Sequence, residues 1–291
     1  MNSKQRKILV YYIYITDDFF ERITNLANIE CLKRYSHIFD EARIFLSIDD
    51  VENLELIAKI EHLFVDMWFN GNIKFTVHKN DEYRESRIVK EEIADSLKSY
   101  GEDLVFFAHG KGFSNLDTGY DKESMLHWII GCYYLSLGFN EEATNLITGM
   151  NTFSAYGSFP LIMNGEKKMH GDYLAKDELY LGRIKYHWCY SGTFFWLNPA
   201  KLYDHMNIFG VETPLIFDRY YSEKYLGNVM SYESNACGHN LIYLWHNNNM
   251  YNDGVAESCV RFILRDEDAI NRYYEFYNSI LKDIKEKYGL V

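Results

Sequence analysis

The chain has 291 residues, 47% hydrophobic and 25% charged, which is enough for one large globular domain or two small ones and excludes a disordered chain. Thirty lysines and arginines against 42 aspartates and glutamates give a formal net charge of −12, which argues against binding of a nucleic-acid backbone. Five cysteines without a Cys-x-x-Cys pair fit neither a disulfide framework nor a zinc ribbon, and they favour a reducing cytoplasm.

The N-terminal part of the chain alternates short apolar runs with amphipathic stretches. We predict strands at residues 8–15, 42–48, 73–77 and 103–108, separated by helices at residues 17–35, 51–64 and 85–100. Three β-α units and a fourth strand predict a parallel sheet covered by helices on both faces. The first apolar run is too short to span a membrane, and no cleavage site follows it as in a signal peptide.

The alternation ends after the fourth predicted strand. Residues 151–186 show no stable period, and residues 188–198 are predicted to form one strand, followed by a helix with Pro199 at its first position. Further elements are predicted as helices at residues 124–137, 141–150, 220–230 and 266–287 and a strand at residues 240–246. Without a repeat, a low-complexity tract or a linker, the sequence predicts a single domain over residues 1–291.

Polar residues follow each of the four predicted strands, at the edge where open α/β sheets bind their ligands. The fourth strand ends in His109, Gly110, Lys111 and Gly112. Glycines let backbone N–H groups approach an anion, and the lysine adds a point charge, so this turn is a candidate anion site. The alternative is a glycine-rich surface turn with a solvated lysine.

Two further motifs allow a structural and a functional interpretation. Residues 186–199 are dense in aromatic side chains, which usually form core but would also suit a sugar-binding wall. Arg219 and Glu223 are four residues apart and share one face of a predicted helix. The alternative for this pair is an exposed salt bridge worth only ~0.3–0.5 kcal/mol.

Taken together, these motifs resemble a family of bacterial and plant GT-A-like glycosyltransferases of capsule, O-antigen and other polysaccharide synthesis. The matching positions are Glu85 at a helix start, His109 to Gly112, Trp128, Tyr190 to Trp196, Arg219 and Glu223. Their order and spacing agree over roughly residues 8–230. Gly110, where the family often has a small polar residue, and residues 151–186 depart from the pattern.

The resemblance implies an α/β GT-A-like fold with a nucleotide-sugar-binding half at residues 1–112 and an acceptor-side half at residues 113–291. It implies transfer of a hexose from a nucleoside-diphosphate sugar, expected to be UDP-linked, to a glycan or lipid-linked glycan acceptor. The expected location is the cytoplasm, with peripheral association at the inner face of the membrane left open. The alternative is a non-catalytic carbohydrate-binding or scaffolding module with the same fold.

The resemblance also implies roles for individual residues. Expected donor contacts are His109, Lys111, Gly112, Glu85 and Arg219. Expected sugar or acceptor contacts are Tyr190, Ser191, Gly192, Thr193, Trp196 and Trp128. Glu223 is the expected catalytic base or acceptor-orienting residue, and His187 is the second catalytic candidate.

A bound metal is not expected. Many GT-A enzymes hold a divalent cation with an Asp-x-Asp after the fourth strand, where this chain has His109-Gly110-Lys111. Imidazole and ammonium groups could neutralise a diphosphate directly. The only Asp-x-Asp of the chain, at residues 266–268, opens the last predicted helix and fits N-terminal capping. Asp49 and Asp50 stay open as an alternative manganese or magnesium site.

Overall fold

A mainly parallel sheet of seven strands organises the structure. The computed structural model describes residues 5–68, 72–110, 121–151, 153–163, 187–190, 192–211, 225–227, 229–230, 236–238, 242–243 and 254–290. The described residues form ten strands, which belong to two sheets. They are β1 (Lys7–Ile15), β2 (Glu41–Ile48), β3 (Ile73–Lys79), β4 (Leu104–His109), β5 (Ala155–Gly157), β6 (Pro160–Met163), β7 (His187–Tyr190), β8 (Phe195–Leu197), β9 (Ala236–Gly238) and β10 (Ile242–Tyr243).

The strand order in this main sheet is β3-β2-β1-β4-β8-β5-β9. All pairs are parallel except those of β8, which runs antiparallel to both β4 and β5. A second, three-stranded sheet has the order β10-β6-β7. The predicted α/β architecture, a mainly parallel sheet flanked by helices, is therefore confirmed.

Helices cover both faces of the main sheet. They are α1 (Ile23–Tyr35), α2 (Leu54–Met67), α3 (Glu85–Ile88), α4 (Lys122–Leu137), α5 (Asn140–Thr148), α6 (Pro199–Phe209), α7 (Val255–Leu264) and α8 (Glu267–Tyr288). One core contains Tyr11 and Ile13 of β1 together with residues of α1, α2, α4 and α8. The opposite core contains Val10 and Tyr12 with residues of α3 and α6. Alternate side chains of β1 are thus buried on opposite faces, as expected for a central parallel strand.

The predicted strand at residues 188–198 is wrong. The structure has two strands there, β7 and β8, which belong to different sheets. Gly192 and Thr193 separate them with φ values of 96° and 59°. A positive φ lies outside the β region, so the strand is interrupted at this point although most of its side chains are apolar and aromatic.

The predicted helix at residues 85–100 is also broken into parts. After α3 the chain continues as a π-helical segment, Val89–Ala94, and a 3₁₀ turn, Leu97–Tyr100. The Ser96 hydroxyl donates to the Glu91 carbonyl at 2.9 Å, which competes with regular helical hydrogen bonding.

Several smaller predictions can also be compared with the structure. Helix α7 was not predicted, whereas Asp266 caps α8 as expected, its carboxylate accepting from the Ala269 amide at 2.9 Å. All five cysteines are free thiols. Within the described ranges, no helix combines the length and apolar composition needed to cross a bilayer. The single domain over residues 1–291 stays a prediction.

The buried carboxylate of Glu41 accepts hydrogen bonds from neighbouring strands at the edge of the sheet where β2 begins. Glu41 has a side chain that is 3% exposed, and it accepts hydrogen bonds from Arg43 Nε at 2.8 Å and Lys74 Nζ at 3.0 Å. Arg6 Nη1 lies 3.2 Å from its other oxygen. Burial alone would raise the pKa of Glu41, but the hydrogen bonds from Arg43 and Lys74 outweigh it, and the net pKa is lowered.

We predict that Glu41→Gln lowers the free energy of unfolding by about 1.5–3 kcal/mol, the range for a hydrogen bond to a charged group. Urea denaturation at neutral pH measures this. Because folding lowers the pKa of Glu41, its contribution is present above the ordinary glutamate pKa of about 4.3 and is lost as the pH falls through the folded value. The two proteins should therefore converge in stability in acid.

Glu55→Gln is the matched control, because Glu55 forms an exposed pair with Lys59 at 2.7 Å. Its free energy of unfolding should stay close to wild type. Equal stability losses in the Glu41 and Glu55 variants would contradict a special role for the buried carboxylate.

Candidate functional site

The candidate site lies at the edge where the parallel strands of the main sheet end. β1 has β2 and β3 on one side and β4 on the other, so the strand order reverses direction between β1 and β4. Ligands of open α/β sheets bind outside the strand ends at such a switch point. In the register of these two strands, Tyr12 is paired with His109.

His109 connects the end of β4 to the turn before β8. It is the last residue of β4, its side chain is buried, and its Nε2 lies 2.9 Å from the carbonyl oxygen of Gly192. A carbonyl oxygen only accepts, so Nε2 carries the hydrogen and donates it. Two of the predicted site residues, 83 positions apart in sequence, are thereby brought into contact.

The turn before β8 holds strained backbone. Thr193 has a φ of 59° although it is β-branched, and its amide donates to the Tyr190 carbonyl at 2.9 Å. Phe159, directly before β6, has a φ of 43°. Left-handed conformations in such residues cost about 1–3 kcal/mol each and are concentrated at functional sites.

Two buried hydroxyls lie in the same region. Thr193 and Ser158 are buried, and neither hydroxyl has a hydrogen-bond partner in the part of the chain that the structure describes. Ser158 is adjacent to the turn, because its amide donates to the Phe194 carbonyl at 3.2 Å. A buried hydroxyl without a partner costs about 1–3 kcal/mol, so this pair is a candidate for binding a polar ligand group.

Tyr190, at the end of β7, packs against two strands of the main sheet. Its ring lies against Gly157 and Gly238, the last residues of β5 and β9, and its hydroxyl donates to the Cys237 carbonyl. A Cβ on Gly157 would lie 2.4 Å from the Tyr190 ring, so only glycine fits there. Tyr190 is buried and packs against these strands. Its role as a sugar contact stays a prediction.

The two predicted tryptophans also lie in the core. Trp196 is fully buried, its Nε1 donates to the Ser136 carbonyl at 3.0 Å, and its ring is 5.0 Å from that of Phe106. Trp128 belongs to the same core, on the face that α1 and α4 cover. The His109 ring lies 6.0 Å from that of Phe194, which belongs to the same core. The roles of the two tryptophans as sugar contacts stay predictions.

A second polar cluster lies where β1, β2 and β3 end. The exposed carboxylate of Asp49 accepts hydrogen bonds from the Tyr14 hydroxyl and from Asn80 Nδ2, the latter at 3.1 Å. Burial, followed by the hydrogen bond to Asp49, raises the pKa of Tyr14 to about 12, so the phenol stays protonated and donates at neutral pH. Asp49 is thereby held in place with lone pairs left over for a ligand.

The carboxylates of this cluster were the alternative metal site. The Asp50 side chain accepts from the Glu52 amide at 3.0 Å, which stabilises the turn before α2. Within the described residues, no group of three histidine, cysteine or acidic side chains could hold a metal ion. Asp49 and Asp50 supply two carboxylates, and Mg²⁺ is commonly held by one or two carboxylates together with substrate phosphates and water, so the alternative metal site stays open. Metal-independent chemistry stays a prediction.

The remaining predicted site residues have the following positions. Glu85 begins α3 and is half-buried, and its charge acts on the Tyr12 phenol. His187 begins β7, and only its backbone is described. Lys111, Gly112, Ser191, Arg219 and Glu223 lie outside the described residues. Tyr14 and Ser158 were not predicted as members of the site, and Asn80 was noted only as a polar residue after the third predicted strand.

We predict that Thr193→Gly raises the free energy of unfolding by roughly 1 kcal/mol. Relief of the left-handed strain and loss of the unpaired hydroxyl should exceed the entropic cost of a glycine in the unfolded chain. Thermal and urea unfolding measure the change. Arg265→Gly is the control, because exposed Arg265 has a similar φ of 56° after α7, far along the chain from this turn. Stabilisation in the control but not in Thr193→Gly would show that Thr193 carries no strain.

No family model matches the chain, and no curated protein sequence matches it. Among solved structures, it is similar to a 4-diphosphocytidyl-2C-methyl-D-erythritol synthase from Anaerococcus prevotii, at 12% identity and a TM-score of 0.35, over 88% of this chain and 98% of that one. A second structure of a 4-diphosphocytidyl-2C-methyl-D-erythritol synthase has 11% identity to this chain and a TM-score of 0.39, over 90% of this chain and 100% of that one. Core-mannan synthase A of Aspergillus fumigatus, in its Mn/GDP form, has 10% identity to this chain and a TM-score of 0.32, over 84% of this chain and 74% of that one. At such identities and TM-scores the conclusions rest on this chain's own sheet and site.

Proposed function

We propose that this protein is a glycosyltransferase that moves a hexose from a nucleoside-diphosphate sugar, UDP-linked in the first instance, to a glycan acceptor of bacterial surface polysaccharide synthesis. The observation that carries the proposal is the contact between His109 and Gly192 at the switch point of the sheet. It joins the two motifs on which the resemblance depends, the turn after β4 and the turn before β8, at the edge where such sheets bind nucleotides.

The nucleoside end of the donor is assigned to Asp49. In nucleotide-binding βαβ folds, a carboxylate at the end of the second strand accepts hydrogen bonds from ribose hydroxyls. Asp49 directly follows β2, is exposed, and is oriented by Tyr14 and Asn80. The hydrogen bonds from Tyr14 and Asn80 support this role for Asp49 beside the alternative metal site.

The leaving diphosphate is assigned to the turn after β4. His109 is fixed by its hydrogen bond to Gly192, and Lys111 is two residues further along the chain. A lysine ammonium stabilises the charge that develops on the diphosphate as the glycosidic bond breaks. A glycine at position 112, which has no side chain, would allow phosphate oxygens to approach the backbone closely.

The transferred sugar is assigned to the edge of the sheet where β4 and β5 end and β8 begins. Thr193 and Ser158 offer two buried hydroxyls without partners among the described residues, and Gly192 directly precedes Thr193. Sugar hydroxyls both donate and accept, so they could satisfy these groups. Glu223 is proposed to accept or orient the proton of the acceptor hydroxyl, with Arg219 as its partner and His187 as the alternative base.

Hydrolysis of the donor separates this proposal from a non-catalytic carbohydrate-binding module. A transferase with a complete donor site slowly transfers the sugar to water, and release of nucleoside diphosphate from a panel of nucleotide sugars measures this. A module that only binds glycans would release none.

We predict that Lys111→Ala weakens binding of the donor by about 1.5–3 kcal/mol, because a charged hydrogen bond to the diphosphate is lost. His109→Ala should weaken it in the same direction. Titration calorimetry with the nucleotide sugar measures both changes. Lys79→Ala is the control, since exposed Lys79 ends β3, which is separated from β4 by β2 and β1. Wild-type affinity in both the Lys111 and His109 variants would exclude the turn from the donor site.

We predict that Glu223→Gln lowers the turnover rate by roughly a hundredfold or more, the typical contribution of a positioned base. Donor affinity should stay unchanged, which distinguishes a chemical from a binding role. Steady-state transfer kinetics together with calorimetry test both points. Normal turnover in Glu223→Gln, combined with an inactive His187→Ala, would move the base to His187.

A further inference from the structure

Arg84 occupies an unusual backbone position at the edge of the sheet that carries the proposed site. It lies in the loop after β3, immediately before α3, with a φ of 49° and a ψ of −131°. The Asp81 carboxylate accepts hydrogen bonds from the amides of Tyr83 at 2.8 Å and Arg84 at 3.0 Å. These two bonds fix the loop in a conformation that a non-glycine residue rarely adopts.

Arg84 immediately precedes α3, and Ile88 of α3 packs in the same core as Val10 and Tyr12 of β1. Burial is the largest effect on Tyr12 and Tyr14 and raises the pKa of both phenols, and the Arg84 charge opposes it in each case. Tyr14 donates to Asp49, and Tyr12 is paired in register with His109. Arg84 is therefore near the strand that lies between the proposed nucleoside and sugar ends of the donor.

The Arg84 guanidinium has no ion pair or hydrogen bond with the described residues. Other arginines at this sheet edge are neutralised: Arg87 pairs with Asp81, and Arg22 Nε lies 2.7 Å from Asp18. Glu85 is the acidic neighbour whose charge acts on Tyr12 in the opposite sense. A half-buried arginine without a carboxylate partner, fixed at a ligand-binding edge, suits an external anion.

We propose that Arg84 binds the diphosphate of the donor. This inference rests on the proposed function. The planar guanidinium can donate two parallel hydrogen bonds to phosphate oxygens, a geometry that the point charge of Lys111 cannot provide. The diphosphate would then be held from two sides, by Arg84 from the loop after β3 and by the turn after β4.

Arg84→Gly tests the proposal, because glycine tolerates the positive φ and removes only the side chain. Titration calorimetry compares the preferred nucleoside diphosphate, the corresponding nucleoside and inorganic pyrophosphate, starting from UDP, GDP, CDP and dTDP. Loss of the charged hydrogen bonds should weaken the diphosphate about 10- to 100-fold and leave the nucleoside unchanged. Arg84→Lys should lie in between. Arg34→Gln is the control, because exposed Arg34 pairs with Asp283 at the C-terminal end of α1, and it should bind the diphosphate like wild type.

If the wild-type protein binds these probes, two results would overturn the proposal: wild-type diphosphate affinity in Arg84→Gly, or an equal loss of affinity for nucleoside and diphosphate. The first, in an enzyme that still releases diphosphate from nucleotide sugars, would leave the proposed function intact. Arg84-dependent binding of diphosphate and pyrophosphate without turnover of any nucleotide sugar would support the anion site and reject the transferase. Wild-type protein that binds none of these probes would overturn both.

Discussion

The burial of β1 on both faces and along both edges is the constraint on which the rest of the structure depends. Its neighbours β2 and β4 take up its backbone hydrogen bonds, and its side chains alternate between two cores. Such a strand tolerates few polar groups along its length, because each would lose its hydration. Polar chemistry is therefore confined to the two ends of the sheet.

The two ends serve different purposes. At the end where β2 begins, Glu41 is surrounded by Arg6, Arg43 and Lys74, so its charge is compensated within the protein. At the opposite end, Asp49 accepts from neutral donors, and Arg84 has no partner among the described residues. The first arrangement stabilises the fold. The second leaves hydrogen-bonding capacity and charge available to a ligand, which is why the candidate site belongs there.

The sequence allowed the first four strands and the strand-end location of the site to be predicted, because buried parallel strands are nearly continuous apolar runs. Asp49 and the His109 turn were identified as strand-end residues on the same basis. The break between β7 and β8 was missed, since aromatic side chains continue through Gly192 and Thr193. Ser158 and Phe159 gave no signal either, because their backbone is determined by tertiary contacts and not by local propensity.

The pairing of β8 with β4, two strands far apart in the chain, determines when the site can be assembled. β8 meets β4 through residues far apart in the chain, and the His109 and Gly192 contact closes a loop of 83 residues. Closing a long loop costs more entropy than forming the β-α-β units that precede it, and contacts between distant residues slow folding. The first four strands emerge from the ribosome well before β8. A nascent chain that has folded its N-terminal strands thus lacks the sugar side of the site until β8 inserts beside β4, so ligand binding is coupled to completion of the sheet.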